Sequence, residues 1–123
     1  MNRALPFLRD AQFWMALAAY AGIALVSPPP SIMVGGNDKV LHFIANFLLF
    51  GSACLRPRPV RKLYLTWRLL FAFTAGVELA QTLAPERFPD WRDIVANATG
   101  LTLGLAAAIM LQRKGVFRRL NPE

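Results

Sequence analysis

Four long apolar stretches alternate with short polar connectors along the chain. A helix needs about 20 predominantly apolar residues to cross the hydrocarbon core of a bilayer, with a tolerated range of roughly 17–25. The third stretch reaches this length by itself, and the other three reach it when their flanking residues are included. The pattern therefore predicts an all-α polytopic membrane protein, a bundle of four transmembrane helices. The predicted helices run over residues 7–27, 38–55, 63–84 and 93–111.

The positions of the prolines support these helices. Proline removes a helical hydrogen bond and clashes with the preceding turn, so it is rare inside a helix. All nine prolines of the chain lie outside the four apolar stretches. Most of them fall in three short connectors, which are predicted at residues 27–37, 56–62 and 85–92.

Composition agrees with a membrane location and excludes some kinds of site. The chain is 55% hydrophobic and only 17% charged, whereas soluble domains usually have about 25% charged residues. Its 123 residues leave room for one domain, predicted over residues 1–123 with a basic tail at residues 112–123. Cys54, the only cysteine, can form neither an internal disulfide nor a thiolate zinc site.

Basic residues concentrate on one side of the predicted bundle. Ten lie in the N-terminus, the second connector and the tail, whereas three lie on the opposite side. Cytoplasmic segments carry an excess of Lys and Arg, so both termini are predicted to be cytoplasmic. The predicted location is the cell membrane, as a multi-pass protein of the bacterial inner membrane. The basic residues behind the net charge of +7 would then face anionic lipid. Membrane lipid is therefore the predicted partner, and nucleic acid is not.

The first apolar stretch has an alternative interpretation. Arg3 and Arg9 followed by an apolar run are also typical of a signal peptide. The residues after Val26 are Ser-Pro-Pro-Pro, which lack the small-residue pattern of a cleavage site. A membrane-spanning helix is therefore favoured.

Three of the predicted helices carry polar residues three or four positions apart, which places them on one face of each helix. These stripes are Asp38/His42/Asn46, Thr74/Glu78/Gln81 and Asp93/Asn97/Gly100/Gly104. A rise of about 1.5 Å per residue puts Glu78 about 9 Å below the outer boundary, and His42 and Asn97 about 6 Å below it. Because buried polar groups are costly in lipid, we expect the stripes to face one another near the outer side. The first helix, with Tyr20 as its one polar interior group, is not expected to contribute.

The polar residues occur in an ordered pattern along the chain. The pattern reads Asp38-Lys39-x-x-His42, then Glu78-x-x-Gln81, then Arg87-x-x-Asp90-x-x-Asp93-x-x-x-Asn97-x-x-Gly100-x-x-x-Gly104. This ordered set, from Asp38 to Gly104, resembles the VanZ-like membrane proteins. The resemblance implies a small polytopic membrane protein, and the namesake of the family is associated with resistance to the lipoglycopeptide antibiotic teicoplanin. It implies no particular reaction mechanism.

His42 and Glu78 are the candidate catalytic residues. A histidine can act as a general base, a metal ligand or a proton relay, or it can be a structural hydrogen-bonding group. An ionisable residue inside a membrane, such as Glu78, is a functional-site candidate, although it can also bridge helices through Gln81 and Asn97.

A wider set of polar residues is expected to form a binding site at the outer side. The set is Asp38, Lys39, His42, Glu78, Gln81, Arg87, Asp90, Asp93 and Asn97. Arg87 could hold a phosphate or carboxylate through its planar fork, or pair with a neighbouring acidic residue. No cofactor is predicted, but Asp90 and Asp93 are candidate ligands of a divalent cation, shared with Glu78 or His42. Aspartates at a helix start more often act as caps.

The glycine pair Gly100 and Gly104 is predicted to serve helix packing. Small residues four positions apart allow two helices to approach closely. Such an approach can occur within one chain or between the copies of a homo-oligomer, so both arrangements stay open.

Three functions are compatible with these features. The first is a protein that binds or shields a lipid-linked or lipidated envelope molecule, such as an envelope precursor or a lipoglycopeptide. The second is a membrane-embedded hydrolase or transferase that acts on a phosphorylated or acylated lipid. The third is a structural helix bundle or subunit. Because neither a nucleophile motif nor a phosphate-binding glycine loop occurs, the sequence leaves enzymatic activity open.

Overall fold

The computed structural model describes residues 4–25, 37–85 and 88–120. These residues form five helices, and no strand occurs among them. The helices are α1 (Ala4–Leu25), α2 (Asn37–Ala53), α3 (Val60–Gln81), α4 (Trp91–Arg113) and α5 (Val116–Leu120). The prediction of an all-α chain is therefore confirmed.

All four long helices begin earlier than predicted, α1 and α3 by three residues each. α1 starts at Ala4, so Pro6 lies in its first turn, where a missing N–H is tolerated because those groups have no partner within the helix. α3 starts at Val60, directly after Pro59, whose φ of −54° and ψ of 142° place it just outside the helix. In both cases a proline lies within two residues of the helix start.

The ends of α3 and α4 also follow local chemistry. α3 ends at Gln81, short of residue 84, because Pro85 disfavours helical geometry at the residue before it. α4 starts at Trp91, after Asp90, whose side chain accepts a hydrogen bond from the Arg92 N–H at 2.9 Å. Part of the predicted basic tail forms α5, which follows Gly115 at a positive φ of 71°.

Successive long helices run in opposite directions, so the bundle has two chemically different ends. The ends of α1 and α3 meet where Gln81 Nε2 donates to the Ala24 carbonyl at 2.6 Å. The starts of α2 and α4 meet where Lys39 Nζ lies 2.9 Å from Asp90. We call this end, which holds Asp38, Asp90 and Asp93, the acidic end. The opposite, basic end holds Arg9, Arg56, Arg58 and Arg113.

The most extensive helix pair is α2 with α4, and two buried glycines permit it. A Cβ at Gly100 would lie 3.0 Å from the Asn46 Cβ and closer still to the Phe43 carbonyl oxygen. A Cβ at Gly104 would lie 2.8 Å from the Phe50 Cβ. The close approach at these glycines is thus made within one chain, and a homo-oligomer would need another face.

Polar groups lie inside the acidic half of the bundle, while large apolar side chains cover the outside. The buried polar residues are His42, Asn46, Thr74, Glu78, Asp93 and Asn97. A buried apolar cluster that includes Leu49, Phe50, Leu63 and Leu101 fills the basic half. Outward-facing side chains such as Phe7 and Met15 are 70% and 71% exposed. Such extensive exposed apolar surface is unusual for a water-soluble monomer but suits a lipid environment.

Two of the described helices, α3 and α4, are long and apolar enough to cross a membrane. In each helix only 28% of the most apolar window is buried inside the bundle. The core helix of a soluble protein would be mostly buried, so these exposed faces agree with contact to lipid. α2, with 17 residues, lies at the lower limit of the roughly 17–25 residues that span a bilayer.

Candidate functional site

Asn97 on α4 is the centre of a buried hydrogen-bond network. Its Oδ1 accepts hydrogen bonds from His42 Nδ1 at 2.9 Å and from Asn46 Nδ2 at 2.7 Å, both on α2. Asn46 and Asn97 are fully buried, and His42 is 6% exposed. The Asn46 amide also donates to the His42 carbonyl at 2.8 Å. These contacts hold α2 and α4 together where the two helices approach closely.

Tyr20 joins this network from α1. Its hydroxyl donates to Asn97 Oδ1 at 3.3 Å and accepts from Asn46 Nδ2 at 3.2 Å. The expectation that the first helix contributes no polar group was therefore wrong. A lone tyrosine in an apolar run was the available signal, because a buried hydroxyl usually finds a hydrogen-bond partner.

Glu78 brings α3 to the same histidine. Its Oε1 lies 3.3 Å from His42 Nδ1, and the side chain is 6% exposed. Its stripe neighbours Thr74 and Gln81 act elsewhere. The Thr74 hydroxyl points back to the Phe71 carbonyl of its own helix at 3.4 Å. Gln81 donates a hydrogen bond to the end of α1. In the contacts that the structure describes, it therefore positions α3 against α1.

Lys39 gathers the aspartates of the acidic end. Its ammonium group lies 3.3 Å from Asp38 and 2.9 Å from Asp90, and it also contacts Asp93. Two of these aspartates reach the histidine as well: His42 Nε2 lies 3.4 Å from Asp38 Oδ1 and 3.9 Å from Asp93 Oδ2. The imidazole ring therefore stands between Asp38 and Asp93 on one side and Glu78 on the other.

Asp90 has two partners at the surface of the acidic end. The hydrogen bond from Lys39 lowers the pKa of the Asp90 carboxyl, and the hydrogen bond from the Arg92 backbone N–H lowers it further. Its role as the α4 cap agrees with the usual behaviour of aspartate at a helix start.

Asp90 and Asp93, the candidate metal ligands predicted from the sequence, both contact the Lys39 ammonium. Asp93 also lies 3.9 Å from His42 Nε2, whereas Asp90 caps α4. Among the described residues, one ligand atom each from Asp38, His42 and Asp93 lies within 4.8 Å of the others, a grouping able to hold a metal ion. Asp38 was not among the predicted metal ligands.

A family profile covers nearly all of this architecture. The profile described as VanZ/LLP1 matches residues 5–112. This range includes the four long helices except Ala4 and Arg113, and it includes every residue of the network. The chain belongs to the VanZ/LLP1 family. No curated protein and no solved structure matches it. The resemblance inferred from the ordered polar residues is therefore confirmed.

In this VanZ-family chain the structure brings most of the predicted binding residues together. Asp38, Lys39, His42, Glu78, Asp90, Asp93 and Asn97 form one continuous set of contacts, which we call the polar cluster together with Asn46 and Tyr20. Gln81 lies beside it. Arg87, the predicted anion-holding residue, and its neighbour Glu86 lie outside the described residues.

Several buried atoms of the polar cluster lack a hydrogen-bond partner among the described residues. They are Glu78 Oε1 and Asn46 Oδ1, both acceptors, and Asn97 Nδ2, a donor; the nearby His42 Nδ1, 3.3 Å from Glu78 Oε1, makes its shorter contact with Asn97 Oδ1 at 2.9 Å. The great majority of buried polar groups in proteins are paired, because an unpaired one costs about 1–3 kcal/mol. The VanZ-family cluster therefore retains unused capacity both to accept and to donate hydrogen bonds.

Proposed function

We propose that this VanZ-family chain binds the polar headgroup of a lipid-linked or lipidated cell-envelope molecule at its polar cluster. The observation that carries the proposal is the convergence of polar groups at the acidic end, where Lys39 and Asp90 are 34% and 37% exposed and the buried Glu78 and Asn97 keep hydrogen-bonding groups available behind them. A headgroup that supplies both a hydroxyl or amide donor and an acceptor would satisfy them. Sugar hydroxyls, acetamido groups and peptide amides of envelope precursors, and the sugars and amides of lipoglycopeptides, have this chemistry.

The proposal includes four membrane-spanning helices, with both termini in the cytoplasm of a bacterium. The basic end, with Arg9, Arg56, Arg58 and Arg113, would face anionic inner-leaflet lipid, in agreement with the positive-inside rule. The acidic end and the polar cluster would then lie on the extracytoplasmic side, where lipid-linked envelope intermediates are used. Labelling of the variant Arg118→Cys only after the inner membrane is permeabilised supports this orientation, and labelling from outside contradicts it.

The choice of ligand follows from the charge of the described cluster. Three carboxylates, those of Asp38, Asp90 and Asp93, share the ammonium of Lys39. A fourth, that of Glu78, lies beside His42. This environment is unfavourable for a phosphate but accepts hydrogen-bond donors. We therefore assign the sugar or peptide part of the ligand, and not its phosphate, to the polar cluster.

The experiment compares binding of two probes by the purified protein in nanodiscs. One probe is a fluorescent polyprenyl-diphosphate-linked disaccharide carrying its peptide, and the other is fluorescent teicoplanin. Glu78→Gln keeps the size of the side chain and removes the buried acceptor charge, so it should weaken binding at least about tenfold, the loss of roughly one charge-assisted hydrogen bond. Leu79→Gln, on the outward face of the same helix (64% exposed), should bind like the wild type.

Each result decides between the functions. Binding of either probe that depends on Glu78 supports the proposal and identifies the ligand class. Binding of neither probe, or equal binding by Glu78→Gln and wild type, overturns it. If Glu78→Gln lowers only the unfolding temperature, the polar cluster is a structural network, as in the third function considered from the sequence.

A second candidate function is hydrolysis or group transfer on an acylated or phosphorylated lipid. It is favoured by the contacts of His42, whose two ring nitrogens lie 3.4 Å from Asp38 and 3.3 Å from Glu78. A histidine oriented by a carboxylate can act as a general base. Release of a headgroup from the lipid probe by wild-type protein, and its loss in His42→Gln, would favour this function over simple binding.

A further inference from the structure

The environment of His42 Nε2 differs from that of Nδ1. Nδ1 lies 2.9 Å from Asn97 Oδ1, an atom that can only accept a hydrogen bond, so Nδ1 carries a proton. In the neutral ring this leaves a lone pair on Nε2. That lone pair points toward Asp38 Oδ1 and Asp93 Oδ2, which are also electron-rich. Three electron-rich atoms facing one another repel. A cation among them would relieve this repulsion more directly than Lys39, which contacts the other oxygens, Asp38 Oδ2 and Asp93 Oδ1.

The separations of these atoms suit ligands of one metal ion better than a hydrogen bond. Nε2 lies 3.4 Å from Asp38 Oδ1 and 3.9 Å from Asp93 Oδ2. A charge-assisted N–H···O⁻ bond is about 2.7–2.9 Å long, so protonation of Nε2 would be expected to draw the carboxylates closer. Two ligand atoms of a tetrahedral ion, each about 2.1 Å from it, lie about 3.4 Å apart. The Nε2–Asp38 separation equals that value, and the Nε2–Asp93 separation of 3.9 Å is longer.

The surroundings of this triad have the form of an outer coordination shell. The Asp38 and Asp93 carboxylates use their other oxygens, Oδ2 and Oδ1, to contact Lys39. The imidazole uses its other nitrogen to contact Asn97 and Glu78. Metal-bound histidines typically donate their second N–H to a carboxylate or carbonyl, and bound carboxylates are in turn hydrogen-bonded, which fixes the ligands in position.

We propose that His42 Nε2, Asp38 Oδ1 and Asp93 Oδ2 bind a divalent transition-metal ion at the acidic end of the bundle. One imidazole nitrogen and two carboxylate oxygens form a donor set that suits Zn²⁺ or Mn²⁺, whereas Mg²⁺ and Ca²⁺ prefer oxygen ligands alone. Three protein ligands leave a coordination position for water or another group. Asp90 is excluded from the ligand set, although it lies beside Lys39 in the same cluster. This proposal does not rest on the proposed headgroup binding.

In the experiment the 123-residue protein is purified in detergent and treated with a chelator. Zn²⁺ is then titrated into it, and binding is measured by calorimetry. Wild-type protein should bind one Zn²⁺ ion per chain, with Mg²⁺ unable to compete at equal concentration. Asp93→Asn and Asp38→Asn preserve side-chain size and remove one ligand each, so each should weaken Zn²⁺ binding about 100-fold or more, since loss even of an outer-shell group costs 10–100-fold.

Asp90→Asn is the matched control, because it removes the same charge from the same cluster without removing a ligand. It should change the Zn²⁺ affinity by less than about threefold, as expected for a partly screened neighbouring charge. A loss in Asp90→Asn as large as that in Asp93→Asn would show that only the acidity of the cluster attracts cations, and it would overturn the proposal. Failure of the wild-type protein to bind Zn²⁺ or Mn²⁺ would also overturn it.

A second measurement decides the matter if the ligand variants do not fold. X-ray absorption of the Zn²⁺-loaded wild-type protein reports the atoms around the ion. One imidazole with oxygen neighbours supports the assignment. A sulfur neighbour, which would have to come from Cys54 or a methionine, or a shell without imidazole, contradicts it.

Discussion

Replacement of Gly100 by alanine tests the close approach of α2 and α4 on which the whole polar cluster depends. The new Cβ would lie 3.0 Å from the Asn46 Cβ and against the Phe43 carbonyl oxygen. Because that oxygen belongs to the helix backbone, it cannot turn aside as a flexible side chain would. The two helices would have to separate, and His42 would move away from Asn97, which lies one turn before Gly100 on α4.

The size of the effect follows from a comparison with Gly76→Ala. A Cβ at Gly76 on α3 meets no heavy atom within 4 Å. Alanine favours a helix over glycine by about 1 kcal/mol in both variants, so this contribution cancels between them. Overpacking costs about 1–3 kcal/mol, and a clash with backbone belongs in the upper part of that range. Gly100→Ala should therefore be about 2–3 kcal/mol less stable than Gly76→Ala.

The assay is reversible unfolding of both variants in mixed micelles, followed by circular dichroism, to give each free energy of unfolding. Gly76→Ala should be at least as stable as the wild type. If Gly100→Ala is equally stable, α2 and α4 do not approach each other at this position. The conclusion that their polar side chains converge would then be wrong as well.

The remaining predictions concern the network and its pH dependence. Asn97→Ala removes the acceptor of three hydrogen bonds and should destabilise the fold by about 1–3 kcal/mol. Tyr20→Phe should cost about 1 kcal/mol or less. Equal losses of stability in the same unfolding assay would contradict this order. The lowered pKa of Asp90 means that its ion pair with Lys39 stabilises the fold above the ordinary aspartate pKa of about 3.9 and is lost as the pH falls through the lowered value. Asp90→Asn retains the cap but not the charge, so its unfolding temperature should fall less on acidification than that of the wild type. An identical pH profile would show that the ion pair does not stabilise the fold.

Local signals along the chain were sufficient to predict the helices and their chemistry. Run length and proline positions placed the four long helices to within about one turn, because both act on the chain over a few residues. The spacing of Asp38, His42 and Asn46, and of Asp93 and Asn97, assigned each side chain to a face. The order of these residues was enough to indicate the VanZ family, which the profile match over residues 5–112 confirms.

Tertiary packing decided which groups touch. Helical periodicity defines a face within one helix, but the rotation and axial shift between two helices depend on contacts between residues far apart in sequence. Only packing therefore brought Tyr20 of α1 to Asn97 and moved Gln81 to the end of α1. It also placed Asp93 near both His42 and Lys39, whereas the ion pair of Asp90 is with Lys39. The spacing of two aspartates three residues apart at the start of one helix does not reveal this distinction.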